Sequence, residues 1–167
     1  MVDTNTTTVE QALTPLLGLP LRTFGRAAGL LWMHFGQMRR IPSHRGGTKQ
    51  VGDWALHVQC AWRLCRQDQI EMASLDYYYN FKGDWLEDWD KPGNSRFDVI
   101  AAALMTRWQW HPLVVQLLTT DEVGGFSLYL TEGYRLDVFP NHSGGQAFGE
   151  YWRLFEPGTN HEHFVMP

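Results

Sequence analysis

Residues 54–64 alternate without a break: Trp54, Leu56, Val58, Cys60, Trp62 and Leu64 are interleaved with Ala55, His57, Gln59, Ala61 and Arg63. A period of two sends the two sets to opposite faces of an extended chain. The segment therefore predicts one strand with a core face and a face that is at least partly wet. Weaker segments of the same period follow over 29–36, 70–75, 113–119, 126–131, 134–139, 151–155 and 163–166. Thr131-Glu132-Gly133-Tyr134 and Glu156-Pro157-Gly158 carry glycine where a tight turn needs positive φ, so neighbouring strands are expected to pair antiparallel.

Helical spacing is rarer. Ser95 and Asp98 form a capping-box pattern ahead of Phe97, Ile100, Ala101, Leu104 and Trp108, which share a helical face, and Pro112 bounds that helix. Val9, Ala12, Leu13, Leu16 and Leu17 also have helical spacing up to Gly18. Pro15 requires either a kink there or a separate short turn capped by Thr14. Residues 1–8 are expected to be a disordered arm on a single domain spanning 1–167. With no strand–helix alternation, the pattern predicts an α+β fold: one curved antiparallel sheet of about 7–9 strands with one or two packed helices. At 167 residues such a domain supports an ordinary core without metal or disulfide.

Charge narrows the partners. The net charge of −4 argues against attraction of the whole domain to nucleic acid or anionic membrane. Residues 1–50 carry six Lys/Arg against two Asp/Glu, so Arg22 through Lys49 form a basic stretch, left open as a second contact surface. No run of about 18 apolar residues would span a membrane. Met1-Val2-Asp3-Thr4-Asn5 has neither the charged nor the apolar region of a secretory leader, so a cytoplasmic location is expected. Cys60 and Cys65, five residues apart on a strand, would be separated by about 16 Å, beyond the roughly 7 Å reach of a disulfide, and free thiols are expected.

No assembled catalytic set emerges. His161-Glu162-His163 places two imidazoles on one side of an extended segment, but neither Cys-x-x-Cys nor His-Glu-x-x-His is present, and no metal or cofactor is expected. Ser43-His44 and His142-Ser143-Gly144-Gly145 lack the Gly-x-Ser-x-Gly elbow. Cys65 beside Arg63 and Arg66 would have a lowered pKa, yet a strand-end thiol is the simpler reading. Gly46-Gly47-Thr48-Lys49 lacks the spacing of a phosphate loop and reads as a flexible basic loop.

Two loci remain. Asp84-Trp85-Leu86-Glu87-Asp88-Trp89-Asp90 packs four carboxylates and two tryptophans into seven residues. Exposed Trp rimmed by charge is the composition of a protein-interface hot spot and also stacks sugars or bases; otherwise both tryptophans cap the sheet's open end and the acids solvate the loop. The wet face of the best strand, His57, Gln59 and Arg63, would line a pocket or make an interface.

The segment Leu56-His57-Val58-Gln59-Cys60-Ala61-Trp62-Arg63-Leu64 stands with an opening Gly18-Leu19-Pro20-Leu21 and Gly25-Arg26-Ala27-Ala28. A closing Glu150-x-Trp152-Arg153-Leu154-Phe155 and His163-Phe164-Val165 completes the set. In these motifs, over most of its length, the chain resembles a set of small bacterial cytoplasmic proteins that are similar to immunity proteins of polymorphic toxin systems. Those are single α+β domains that bind and block one secreted toxin, and the resemblance implies a protein partner and no catalytic residues. The resulting expectation is a non-enzymatic protein that occludes a toxin's active site, with Trp85 and Trp89 as anchors. Asp84, Glu87, Asp88 and Asp90 would steer it to a basic surface. The alternative is a small-molecule-binding or hydrolytic domain using an aromatic-lined pocket on the sheet, with His57, Gln59 and Arg63. A structural subunit of a larger assembly would instead show a sizeable exposed apolar patch.

Overall fold

The computed structural model describes residues 8–143, 147 and 149–167. Twelve strands are found among them: β1 (Leu21–Ala27), β2 (Leu30–Phe35), β3 (Arg39–Pro42), β4 (Thr48–Val51), β5 (Trp54–Val58), β6 (Ala61–Arg66), β7 (Gln69–Ala73), β8 (Val115–Thr120), β9 (Phe126–Leu130), β10 (Tyr134–Phe139), β11 (Trp152–Phe155) and β12 (Phe164–Met166). The helices are α1 (Val9–Leu13) and α2 (Arg96–Trp108). The α+β class and the antiparallel pairing stand, but the single curved sheet does not. The strands form two five-stranded sheets, β1-β2-β5-β11-β12 and β7-β6-β10-β9-β8, and a separate β3-β4 hairpin.

The overturned element is the segment 54–64, which is two strands in two sheets. Gln59 N–H and Cys60 N–H both donate to the Tyr151 carbonyl, at 2.8 and 3.1 Å. Two consecutive amides on one acceptor is the two-against-one pattern of a β-bulge, which bends the bulged strand. Alternation survives the bend, with Leu56, Val58, Cys60, Trp62 and Leu64 all buried, and so it gave no sign that the chain turns a corner there. The sheets meet again at a second seam, where Leu21 N–H donates to Leu113 O at 2.7 Å and Pro20 bridges Val114. Corners made by strands that change sheet are how two packed sheets share one core.

The core lies between the inner faces. Phe126 of the second sheet meets Trp152 of the first edge-on at 4.9 Å, and the Trp152 indole N–H donates to Gly124 O at 2.7 Å. Gly124, in the β8–β9 turn, has φ +88, so any other residue there would be strained and its Cβ would have to displace the Met166 side chain. Helix α2 begins with the expected Ser95/Asp98 capping box and packs Phe97 on Phe24 and Trp62. At the N-terminal end, Pro15 settles the two alternatives. The helix stops at Leu13 and Thr14–Leu16 is a separate 3-10 turn. Thr8 belongs to the α1 capping box and not to an arm; residues 1–7 of the expected arm lie outside the described residues. Gly46-Gly47-Thr48-Lys49, expected as a flexible loop, turns the β3-β4 hairpin and enters β4, with Ser43 N–H donating to Gly47 O at 3.0 Å. Among the described residues no helix is long and apolar enough to cross a membrane.

Candidate functional site

Chain leaving β7 passes through a 3-10 turn, Ser74–Tyr77, into a run of aromatics that climbs from the core to the surface. Tyr77 is buried and accepts the Trp62 indole N–H at 3.0 Å. Tyr78 is half-buried, and Tyr79 is exposed. The Trp85 indole stacks on Tyr78 with centroids 5.5 Å apart and planes within 6°, and meets Tyr79 edge-on at 5.6 Å. It is nevertheless 58% exposed. Stacking on one face and solvent on the other is the arrangement of an indole held in place but not covered.

Backbone bonds fix that position. Tyr79 and Trp85 form a β-bridge, Leu86 N–H donates to Tyr78 O at 2.9 Å, and Asn80 N–H donates to Asp84 O at 3.0 Å. The Asn80 side-chain oxygen accepts the amides of Lys82 and Asp84, an Asx-turn that closes the loop. At the far end the loop hangs on Arg26, whose guanidinium donates to Lys91 O at 3.0 Å and to both carboxylate oxygens of Asp98 at 2.7 Å. Burial opposes charge on Asp98. Hydrogen bonds from Arg26, Ser95 and Gly93 outweigh it, so the carboxyl is held down at about 2.

The acidic-aromatic segment is thus brought together as a surface, but its two tryptophans differ. Trp85 projects, whereas Trp89 is half-buried, edge-on to Tyr78 at 4.7 Å and packed against the core. Asp84, Glu87 and Asp90 are exposed; Asp88 is half-buried and pairs with Lys91 at 3.7 Å, an exposed pair that contributes little. Beside them stand three exposed apolar residues that sequence reasoning missed: Leu75, Tyr79 and Phe81, the last under the Arg96 guanidinium at 4.6 Å. The available signal was Tyr77-Tyr78-Tyr79-Asn80-Phe81, four aromatics in five residues, more than one face of a strand can bury.

His57, Gln59 and Arg63 do not form one row, because the bulge divides them. His57 lies on the outer face of the first sheet, opposite Trp32 and Arg153, with its ring edge-on to Phe155 at 4.9 Å. Burial lowers its pKa, and pushes that of His34 on the same face down to about 4. Gln59, at the corner, donates to Glu150 at 3.2 Å. Arg63 is on the second sheet and lines a groove of about 430 Å³ with Asp137, Arg135, Ser127, Tyr129 and Phe139.

The remaining candidates are dispersed. His161 contacts Glu156 at 2.9 Å, and His163 stacks on Phe155 at 4.5 Å. Among the described residues no three His, Cys, Asp or Glu side chains gather as metal ligands. Cys60 and Cys65 are free and buried, and burial pushes the Cys60 thiol up to about 12. Of His142-Ser143-Gly144-Gly145, both glycines lie outside the described residues; the His142 carbonyl accepts the Tyr151 hydroxyl at 2.6 Å. Set against protein-family models, curated proteins and solved structures, the chain matches none.

Proposed function

We propose that the chain is a non-enzymatic binding protein, an immunity protein that occludes the active site of a cognate bacterial toxin through the surface formed by residues 75–90. One observation carries the reading: Trp85 is 58% exposed while stacked on Tyr78 and flanked by the exposed Asp84 and Glu87. An indole already immobilised loses little freedom on binding, and exposed aromatics ringed by charge are where interface energy concentrates. Carboxylates around it favour a basic partner surface and speed encounter with it. Tyr79, edge-on to the Trp85 indole, widens the apolar centre, and Leu75 and Phe81 add exposed apolar side chains from the same segment. Free, buried thiols suit a reducing, cytoplasmic setting.

The test is a tagged pull-down from the native cell, including the products of neighbouring genes, with wild type and Trp85→Ala in parallel. A single toxin-like protein captured in stoichiometric amount, released by the substitution and inhibited by the wild-type chain, is the expected result. By calorimetry Trp85→Ala should weaken that complex by about 2 kcal/mol or more. Capture that Trp85→Ala leaves unchanged would remove this loop from the interface, and a captured protein that stays fully active when bound would end the immunity reading.

A further inference from the structure

The outer face of the second sheet carries a constellation that strand pairing does not require. Asp137, at the centre of β10, is only 7% exposed, and its carboxylate accepts four hydrogen bonds. Ser127 Oγ at 2.7 Å and Arg135 Nε at 2.8 Å reach one oxygen; Arg63 Nε at 2.9 Å and Arg135 Nη2 at 3.1 Å reach the other. Register creates this group, since Arg63, Asp137 and Ser127 are direct cross-strand neighbours on β6, β10 and β9, and Arg135 lies two residues along β10 on the same face. Burial opposes the charge of Asp137, but the surrounding donors outweigh it and keep the carboxyl below its ordinary range.

One arginine would neutralise one aspartate. The second, with Asp121 also lining the groove, brings the local charges into balance and leaves spare donors. The two side chains remain 45% and 34% exposed, and among the described residues Arg63 Nη1 and Nη2 and Arg135 Nη1 have no hydrogen-bond partner. Each guanidinium lies over a ring, Arg63 at 6.0 Å from Phe139 and Arg135 at 5.9 Å from Tyr129. Thr119 and Asp121 complete the groove. Asp121 is engaged with its own turn, accepting the amides of Val123 and Gly125 at 2.9 and 2.7 Å.

Guanidinium forks fixed in advance by a carboxylate are the arrangement that recognises a planar anion through paired N–H bonds. The aromatic rims suit an apolar body attached to it, and the carboxylates of Asp121 and Asp137 disfavour a doubly charged group. We propose that this groove binds a small carboxylate-bearing ligand, its anionic group on the spare edges of Arg63 and Arg135 and its apolar part against Tyr129 and Phe139. The site stands apart from residues 75–90 and does not depend on their role.

The experiment is a benzoate titration of the full chain, followed by the arginine Nε–H resonances in NMR and by calorimetry. Saturable shifts at Arg63 and Arg135 are expected, with affinity lowered about ten-fold or more in Arg63→Met and in Arg135→Met. Arg66→Met, which removes a guanidinium lying 5.2 Å from the Tyr134 ring instead, should leave binding unchanged. Inorganic phosphate should bind more weakly than benzoate. Wild type that shows no saturable shift overturns the proposal without reference to any variant. So does an equal loss in Arg66→Met, which would reveal a diffuse field, or phosphate binding as tightly as benzoate.

Discussion

The 75–90 surface and the outer face of the second sheet use the same residue types in opposite ways. In the loop the backbone does the fixing, through the Tyr79–Trp85 bridge and the Asn80 turn, and carboxylates stand in solvent around aromatics. On the sheet a carboxylate does the fixing, and arginines stand over the aromatics. Charge in solvent acts at long range and steers; charge locked to a partner acts at contact and orients. The first arrangement fits a large partner whose surface is broadly basic, the second a small anion with defined geometry.

Each region also has a clamp, and the two differ in burial. Arg26 and Asp98, at the base of the loop, are 4% and 12% exposed as side chains. Without Arg26, Asp98 keeps only its capping donors Ser95 and Gly93 and the Lys91 carbonyl loses its donor, so Arg26→Met should cost about 3 kcal/mol, the lower end for breaking a buried pair, in urea unfolding at neutral pH. A loss below about 1 kcal/mol would mean that the loop does not hang from this pair, since only an exposed pair is so weak.

The next largest effect separates the two tryptophans. Trp89 is half-buried against the core, and Trp89→Ala should destabilise by about 2 kcal/mol, below the roughly 3–5 kcal/mol for truncating a fully buried aromatic. Trp85 loses mainly its stack on Tyr78, so Trp85→Ala should cost about 1 kcal/mol. Thermal melts of both variants check this. Equal losses would show that Trp85 is a core residue and would undercut it as an anchor.

Acid sharpens the contrast further. The His34 imidazole is held down to about 4 from 6.5 by burial, so its neutral form favours folding above pH 6.5 and that contribution falls away as pH drops toward 4. Asp98, at about 2 against 3.8, favours folding above pH 3.8, a contribution lost as pH falls through about 2. With allowance for solvent screening, the Asp98 step amounts to about 1–2 kcal/mol. Stability measured against pH should therefore fall in two stages, and Arg26→Met should flatten the lower one alone. An unchanged lower stage in that variant would assign it to other carboxylates.

How much of this was legible follows from where the residues sit in the chain. The acidic-aromatic loop was visible because Asp84 through Asp90 are consecutive. Helix α2 was visible because its cap and its apolar face both lie within Ser95 to Trp108. The arginine site was not, because Arg63, Ser127 and Asp137 come from three strands and meet only through cross-strand register. Nor was the division of the sheet at Gln59 and Cys60, since a bulge on the Tyr151 carbonyl leaves inside–outside alternation intact. Periodicity reports which face a side chain takes, not which sheet that face belongs to.

The smallest expected effect is the one that best separates the two clamps. Arg63 is 45% exposed, and without it Asp137 keeps Arg135 and the Ser127 hydroxyl. Arg63→Met should therefore cost about 1 kcal/mol or less, and a double-mutant cycle with Asp137→Asn should give a coupling that shrinks as salt is raised. If the cycle instead returned the 3 kcal/mol or more typical of a buried pair, unaffected by salt, Arg63 would be a brace for β6 and β10, with its orientation explained by stability. A small, salt-sensitive coupling leaves the cost of holding two arginines on one carboxylate without a return in folding, and binding is then what remains to account for their placement.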